Sequence, residues 1–338
     1  MNSKNIVFTR VNTAELLEEP VPVLGEHDVL VQLAVSSISS GTERANLTGS
    51  KTVSWKRPEE PEAVFPRRVG YSSAGIVLEV GSAVTSVKPG DRVALSWSKY
   101  NQYMVMPEEN VFPIGDLSFE EASLFHIATF PLAAIRKCRL EIGESAIVMG
   151  MGMLGLMALQ LLKAAGAVPI IAVDPVPEKR EKALQSGADY ALDPFAPDFA
   201  ETARRLTGGG AQVGIEVTGV GAGLNGILDC MACYSRVALL GCTRSSDFSV
   251  DYYRKVHGPG ITLIGAHTKA RPLYESHPGW WIQQDDMNTL IRLTQLGRLQ
   301  LAALVDETYS PAEAPAIFDR LAREKAFPLV QFDWRKLT

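Results

Sequence analysis

The rhythm of apolar and polar positions changes near residue 118. Before it, short apolar runs at 29–35, 74–81 and 90–95 are separated by turn residues, which predicts β-strands. After it, helix-like stretches alternate with short apolar runs. The runs at 146–149, 169–173, 190–193, 213–217, 236–241 and 261–265 read as strands. Between them, 154–165, 178–186, 199–206 and 224–231 read as helices. This alternation predicts a parallel sheet covered by helices, an α/β, doubly wound architecture. Beyond 273 the chain holds one more helical pattern at 286–296 and an apolar run at 327–332. That tail is too small to fold alone, so it is expected to return to the front. The expected organisation is a β-rich domain over 1–124, joined by 270–338, and a second domain over 125–269.

The segment 150–155 reads Gly-Met-Gly-Met-Leu-Gly, and Asp174 stands nineteen residues after its last glycine. A strand precedes it, a helix follows, and a second strand closes on the acid. In that context G-x-G-x-x-G reads as a dinucleotide turn. Gly150 permits the sharp turn, Gly152 lets backbone approach a pyrophosphate, and Gly155 lets helix and strand pack closely. The amides of Met153 and Leu154 open the helix toward phosphate. Asp174 would accept both ribose hydroxyls and repel a 2′-phosphate, which favours NAD over NADP.

Charge and composition narrow the partners. The net charge of −5 over 338 residues offers no basic footprint for nucleic acid or anionic lipid. No apolar stretch is long enough to span a bilayer. The first residues run directly into a strand-like pattern, so no signal peptide is expected. Four cysteines make no disulfide framework, which fits a reducing cytoplasm. Cys230 and Cys233 form one C-x-x-C without a second pair and read as core cysteines.

Three further stretches carry a resemblance. They are Gly70-Tyr71-Ser72-Ser73-Ala74-Gly75-Ile76-Val77-Leu78-Glu79-Val80-Gly81, Val87-Lys88-Pro89-Gly90-Asp91-Arg92-Val93 and Glu216-Val217-Thr218-Gly219. With the glycine turn, these resemble the medium-chain dehydrogenase/reductase superfamily over 22–115 and 141–335. The resemblance implies a GroES-like β-rich substrate domain, a Rossmann domain and a cleft between them, with hydride transfer to or from nicotinamide. It also implies that Thr129 and Thr218 line the cofactor groove. The carboxamide would meet backbone at Gly241, Cys242, Gly265, Ala266 and His267. A homodimer or homotetramer acting on a small molecule is expected.

The departures from the family pattern concern metal. Zinc-dependent members carry Cys-Gly-Thr/Ser-Asp where this chain has Ser40-Gly41-Thr42-Glu43, and Gly-His-Glu where it has Gly70-Tyr71-Ser72. Their third ligand falls on Phe125, and residues 96–115 hold no cysteine for a structural zinc. Tetrahedral zinc needs thiolate, imidazole or carboxylate ligands, so no metal is expected. The Ser-Gly-Thr-Glu and Gly-Tyr-Ser-Ser-Ala-Gly combination is similar to a zinc-free subgroup. That subgroup includes bacteriochlorophyllide dehydrogenase-like proteins and the dehydrogenase half of some bidomain sugar oxidoreductases.

Without zinc, a side chain must carry the proton. Tyr71, Glu43, Thr42 and Ser40 occupy the vacated positions, and His126 stands beside the third. Tyr71 could donate to a carbonyl oxygen or merely fill space. Glu43 could accept a proton, orient Tyr71 or only brace its loop. His126 could titrate near neutrality or simply pack. Trp55, Trp97, Lys99 and Tyr100 are the expected substrate contacts. The run 277–281, with Trp280 and Trp281, suits either a polar substrate or an oligomer contact. The leading expectation is a zinc-independent, NAD-dependent dehydrogenase of a polar secondary alcohol, sugar- or polyol-like. A zinc-free quinone or enoyl reductase and a non-catalytic dinucleotide sensor are the alternatives.

Overall fold

The structure is a computed structural model that describes residues 1–50, 64–324 and 326–337, and elements are counted among these. The chain forms two compact units, Met1–Ile127 with Gln300–Thr338, and Ala128–Leu299.

Unit 1 begins with β1 (Asn2–Arg10), β2 (Thr13–Pro20) and β3 (Asp28–Ser37), followed by helix α1 (Ser40–Leu47). After the undescribed stretch come β4 (Arg67–Arg68), β5 (Ser72–Val80), β6 (Arg92–Ser96), β7 (Tyr103–Pro107), β8 (Val111–Pro113) and the short α2 (Phe119–Ala122). Helix α3 (Phe125–Lys137) follows. Unit 2 continues with β9 (Ala146–Met149), α4 (Met153–Ala164), β10 (Ile170–Val173), α5 (Pro177–Gln185), β11 (Tyr190–Leu192) and α6 (Phe199–Leu206). Then come β12 (Ala211–Glu216), α7 (Gly221–Asp229), β13 (Met231–Leu239), β14 (Thr262–Gly265) and α8 (Gln283–Gln295). The chain returns to unit 1 with β15 (Glu307–Tyr309), α9 (Ala314–Arg323) and β16 (Val330–Asp333).

In unit 1, β3 is the hub of a sheet ordered β15-β16-β3-β5-β6-β8, with β7 also paired to β3. A smaller sheet runs β2-β1-β4. The core between them gathers Phe8, Val31, Leu95, Tyr100, Phe318 and Phe332. Phe8 meets Phe318 edge to face with centroids 4.8 Å apart, the favoured aromatic geometry.

In unit 2 the sheet order is β11-β10-β9-β12-β13-β14, all parallel. Every residue of β9 and β10 is buried. A parallel sheet covered on both faces demands such unbroken apolar strands. Strand order reverses between β9 and β12, and ligands of open α/β sheets bind at the carboxyl ends on either side of that point. Gly150 follows β9, and Val217-Thr218-Gly219 follows β12.

The returning tail is shorter than expected. The sequence suggests a return at 270, yet residues 270–299 stay with unit 2. The reason is α8, which buries Met287, Leu290 and Ile291. Its Asp286 accepts from Arg136 of α3 at 2.8 Å and from Arg271 at 3.2 Å. With a carboxylate at 0 % exposure, these two guanidiniums hold the segment in place.

Candidate functional site

The glycine turn of unit 2 is built to leave backbone bare. Gly150 has φ +102°, a left-handed conformation that favours glycine. A Cβ on Gly155 would collide with the carbonyl oxygen of Gly150. A Cβ on Gly152 would meet nothing within 4 Å. Gly152 is the N-cap of α4 and brings no capping side chain, and the first turn holds no acid. The first amides of α4 therefore have room for an anion and no internal competitor. Met153 and Gly155 are buried and Leu154 is half-buried, so these residues contribute backbone rather than side chains.

Asp174 is anchored beside this turn. Its Oδ2 accepts the Met151 N–H at 2.8 Å and its Oδ1 accepts the Val176 N–H at 2.9 Å. A carboxylate fixed by two amides keeps lone pairs for ribose hydroxyls. Arg180, one turn into α5, donates to the Asp174 carbonyl at 2.7 Å and lies 3.4 Å from Asp193. Its proximity to Asp174 has no signal in the glycine motif.

On the other side of the crevice, buried Glu216 organises the turn after β12. It accepts the Thr218 amide at 2.8 Å, the Thr218 hydroxyl and the Gly219 amide at 3.2 Å. Burial raises its pKa, partly offset by these donors. Thr218 is exposed, and its methyl faces Gly150. Gly241 packs so closely on Gly219 that a side chain would strike its backbone, and Cys242 is exposed just beyond. Gly265 ends β14 with open space where a Cβ would be. The next two residues differ: Ala266 is buried and bonded to Leu239, and His267 is exposed. Thr129 is fully buried, and its carbonyl accepts from Arg271 at 3.3 Å. The 277–281 run divides between two settings. Trp280 lies over Lys137, while Trp281 stacks on Arg136 at 3.5 Å. The latter lines a cavity of about 500 Å³ with Leu132, Arg139, Leu161, Pro278 and Leu293, which includes none of the glycine-turn residues.

Unit 1 gathers a second constellation. α1 carries half-buried Ser40 and Thr42 and fully buried Glu43. Glu43 Oε1 accepts the Gly70 N–H at 3.1 Å and the Tyr100 hydroxyl at 3.4 Å. Its Oε2 has no hydrogen-bond partner among the described residues. Burial pushes the carboxyl up to about 7, against the pull of the Gly70 amide and the Lys99 ammonium. Lys99 Nζ donates to the Gly70 carbonyl at 3.4 Å, and burial lowers its pKa. Tyr71 is half-buried, with its ring 5.6 Å from His126 and 6.4 Å from Trp97. His126 is fully buried and meets Trp97 edge to face at 4.5 Å. Trp97 has φ +62°, unusual for a bulky residue, and its amide donates to the Tyr71 carbonyl at 2.9 Å. Local backbone strain of this kind concentrates at functional sites.

The structure thus brings together Glu43, Tyr71, Trp97, Lys99 and His126. Tyr100 is the exception among the expected substrate contacts. It is 1 % exposed, packs on Phe318 and Phe332, and its hydroxyl faces inward to Ser37 and Glu43. Alternation along the chain turns it into the core between half-buried neighbours. Trp55 lies outside the described residues.

Comparison with known proteins bears on both constellations. The sequence pattern of the alcohol dehydrogenase GroES-like domain matches residues 25–116, and that of the zinc-binding dehydrogenase matches 154–276. The chain belongs to the medium-chain, zinc-type alcohol dehydrogenase-like superfamily. Within it, the chain is 35 % identical to (R,R)-butanediol dehydrogenase of Bacillus subtilis over 184 residues. That match covers 46 % of this chain and spans about half, 53 %, of that enzyme. D-guloside 3-dehydrogenase of Shigella flexneri is 24 % identical over 331 residues, covering 92 % of this chain and 94 % of the relative. Two solved structures share the fold with TM-scores of 0.81. One, described as a zinc-binding dehydrogenase of Sinorhizobium meliloti, is bound to NADP, at 20 % identity over 98 % of this chain and 99 % of that one. The other, an alcohol dehydrogenase of Escherichia coli, is complexed with NADH, at 17 % identity over the same shares.

The superfamily's two groups can be tested against the residues present. The glycine turn fits a nicotinamide dinucleotide: uncapped amides after Gly152 with open space in front of it, a helix held close to the turn by Gly155, and an anchored acid. The zinc positions do not fit. Phe125 offers no donor and is fully buried, and Tyr71 and Ser40 replace imidazole and thiolate. Among the described residues, no group of three His, Cys, Asp or Glu could hold a metal ion.

Proposed function

We propose that the protein is a zinc-independent, NAD(H)-dependent dehydrogenase of a polar secondary alcohol, sugar- or polyol-like, or of the matching ketone. The observation that carries this reading is the unit 1 constellation. Where the superfamily sets metal ligands, this chain sets a half-buried phenol at Tyr71 and a buried carboxyl, raised to about 7, that holds the amide of the residue before it. The butanediol and D-guloside dehydrogenases support an alcohol as substrate.

Bound NAD would supply the hydride acceptor, held at Gly150–Gly155 and Asp174 of unit 2. The remaining chemistry is the proton. Glu43 has no surface of its own, so it cannot touch a substrate directly. Tyr71 is the group with access: as a phenolate it would accept the alcohol proton in oxidation, and as a phenol it would donate to the carbonyl oxygen in reduction. Glu43 is then a positioning residue. It holds the Gly70 amide, and hence the backbone of Tyr71, while its charge changes within the working pH range. Trp97 and His126 pack against the Tyr71 ring and against each other. Asp174 supports NAD over NADP, and the exposed outer edge of β14 at Leu263 supports a homo-oligomer.

The test combines a screen of sugars, polyols and hydroxy acids, read as NADH formation, with elemental analysis. The expected result is turnover without stoichiometric zinc and without sensitivity to a chelator. One zinc per chain, with activity abolished by chelation, would overturn the metal-free reading. Tight NADH binding without turnover on any alcohol would favour a sensor.

A further inference from the structure

Lys137 carries a buried ammonium at the end of α3, 6 % exposed. Its Nζ donates to the Gly265 carbonyl at 3.3 Å and lies 4.7 Å from the centre of the Trp280 ring. No carboxylate lies within ion-pair distance of it among the described residues. The nearest acid, Asp286, is already shared by Arg136 and Arg271. A buried cation without a bonded counter-ion is costly to keep. What it does keep is the end of β14.

The turn after β14 is pinned from several sides. The Ala266 amide donates to the Leu239 carbonyl at 3.1 Å, the Ala270 amide to the His267 carbonyl at 2.8 Å, and the Lys269 amide to His267 Nδ1 at 3.2 Å. Lys137 adds a pin from outside the sheet, at Gly265, where a Cβ would meet nothing within 4 Å. We propose that Lys137 is a positioning residue for the nicotinamide end of the dinucleotide, its ammonium clamping the Gly265 carbonyl under Trp280 so that the 265–267 backbone is preset for the carboxamide. This rests on the cofactor reading above. Burial and the neighbouring Arg271 lower the Lys137 pKa to about 8, with Asp286 and Cys138 opposing, so the clamp is charged at neutral pH. The same charge, after desolvation and Lys269, helps keep His267 neutral.

The experiment is calorimetric titration of the wild type and of Lys137→Met with two probes. NADH carries the nicotinamide, and ADP-ribose lacks it but reports the Gly152 and Asp174 end. Lys137→Met should weaken NADH about ten-fold, in line with loss of a charge-assisted hydrogen bond, and change ADP-ribose less than about two-fold. Lys137→Arg should recover most of the NADH affinity. Unchanged NADH affinity, or equal weakening of both probes, would overturn the proposal. If the Met variant does not fold, Trp280→Leu removes the ring alone and should weaken NADH and not ADP-ribose. Failure of the wild type to bind either probe would instead sink the cofactor reading, and the clamp with it.

Discussion

The glycine turn of unit 2 and the Glu43 cluster of unit 1 prepare for a ligand by opposite means. The turn removes side chains: Gly150, Gly152 and Gly155 leave amides bare, and Asp174 is fixed by two backbone donors. The cluster removes water: Glu43 and His126 are buried, and only Tyr71 and Trp97 keep a face outside. A site of backbone amides is rigid and indifferent to pH, because amides do not titrate. A site built on a buried carboxyl changes its charge near neutrality, because desolvation raises the pKa of an acid. Damage to one should therefore read out as binding, and damage to the other as rate and pH dependence.

The strongest test of that division is Tyr71→Phe. A positioned acid–base group contributes on the order of 100- to 10,000-fold in rate. The variant should lose kcat by about that factor, while NADH affinity stays within about two-fold, since the rate loss is confined to the proton. Wild-type kcat on the true substrate would move the proton relay away from Tyr71, and His126→Gln would be next. Comparable loss of NADH affinity would show that the two constellations are not separable.

Asp174→Ala probes the other side. Loss of a carboxylate that accepts two ribose hydroxyls should weaken NADH roughly ten-fold and narrow the preference against NADPH. Activity at saturating NADH should change little. Calorimetry in which the wild type prefers NADPH would contradict this, and Arg180, beside Asp174 on α5, would become the residue to examine.

The two regions also differ in how far the sequence reveals them. The turn lies within twenty-five residues, Gly150 to Asp174, and each requirement is local: a φ, a missing Cβ, a strand end. Periodicity likewise places β9, β10, β12 and α6 close to where they lie, because a doubly covered sheet writes itself as unbroken apolar runs. The cluster joins α1, the approach to β5, the loop after β6 and the start of α3. Its members could be named only by their likeness to a metal site. Likeness cannot tell that Tyr100 turns into the core while Trp97 stays out, since both flank one short turn. Nor does it mark Lys137. Two basic residues in the last turn of a helix normally read as dipole partners in solvent, and the folding-back of 270–299 is what buries this one. That segment reads as a tail because periodicity marks the apolar face of α8 but not the unit that face packs on, and the Asp286–Arg136 ion pair leaves no periodic trace.

The smallest expected effect, and the most specific to a buried carboxyl, is on stability. Glu43 rises to about 7 in the folded protein against its ordinary value of 4.5. Between those values the folded state binds more protons than the unfolded chain. Stability from this group is therefore complete below about pH 4.5 and is lost as pH climbs through about 7. Glu43→Gln stays neutral throughout. Its oxygen can still accept from Gly70 and Tyr100, but its amide puts N–H donors where Oε2 is buried without a hydrogen bond. The variant can therefore be less stable in absolute terms, and the slope carries the information. Asp286, near 6, and Glu216 titrate in both proteins and cancel in the difference. Melting curves from pH 5 to pH 8 should show the wild type losing roughly 2–5 °C more than the variant. The same substitution should remove the limb near pH 7 from the kcat profile. Parallel melting slopes would mean that Glu43 is charged or solvated in the folded chain and holds the Gly70 amide as an ordinary carboxylate.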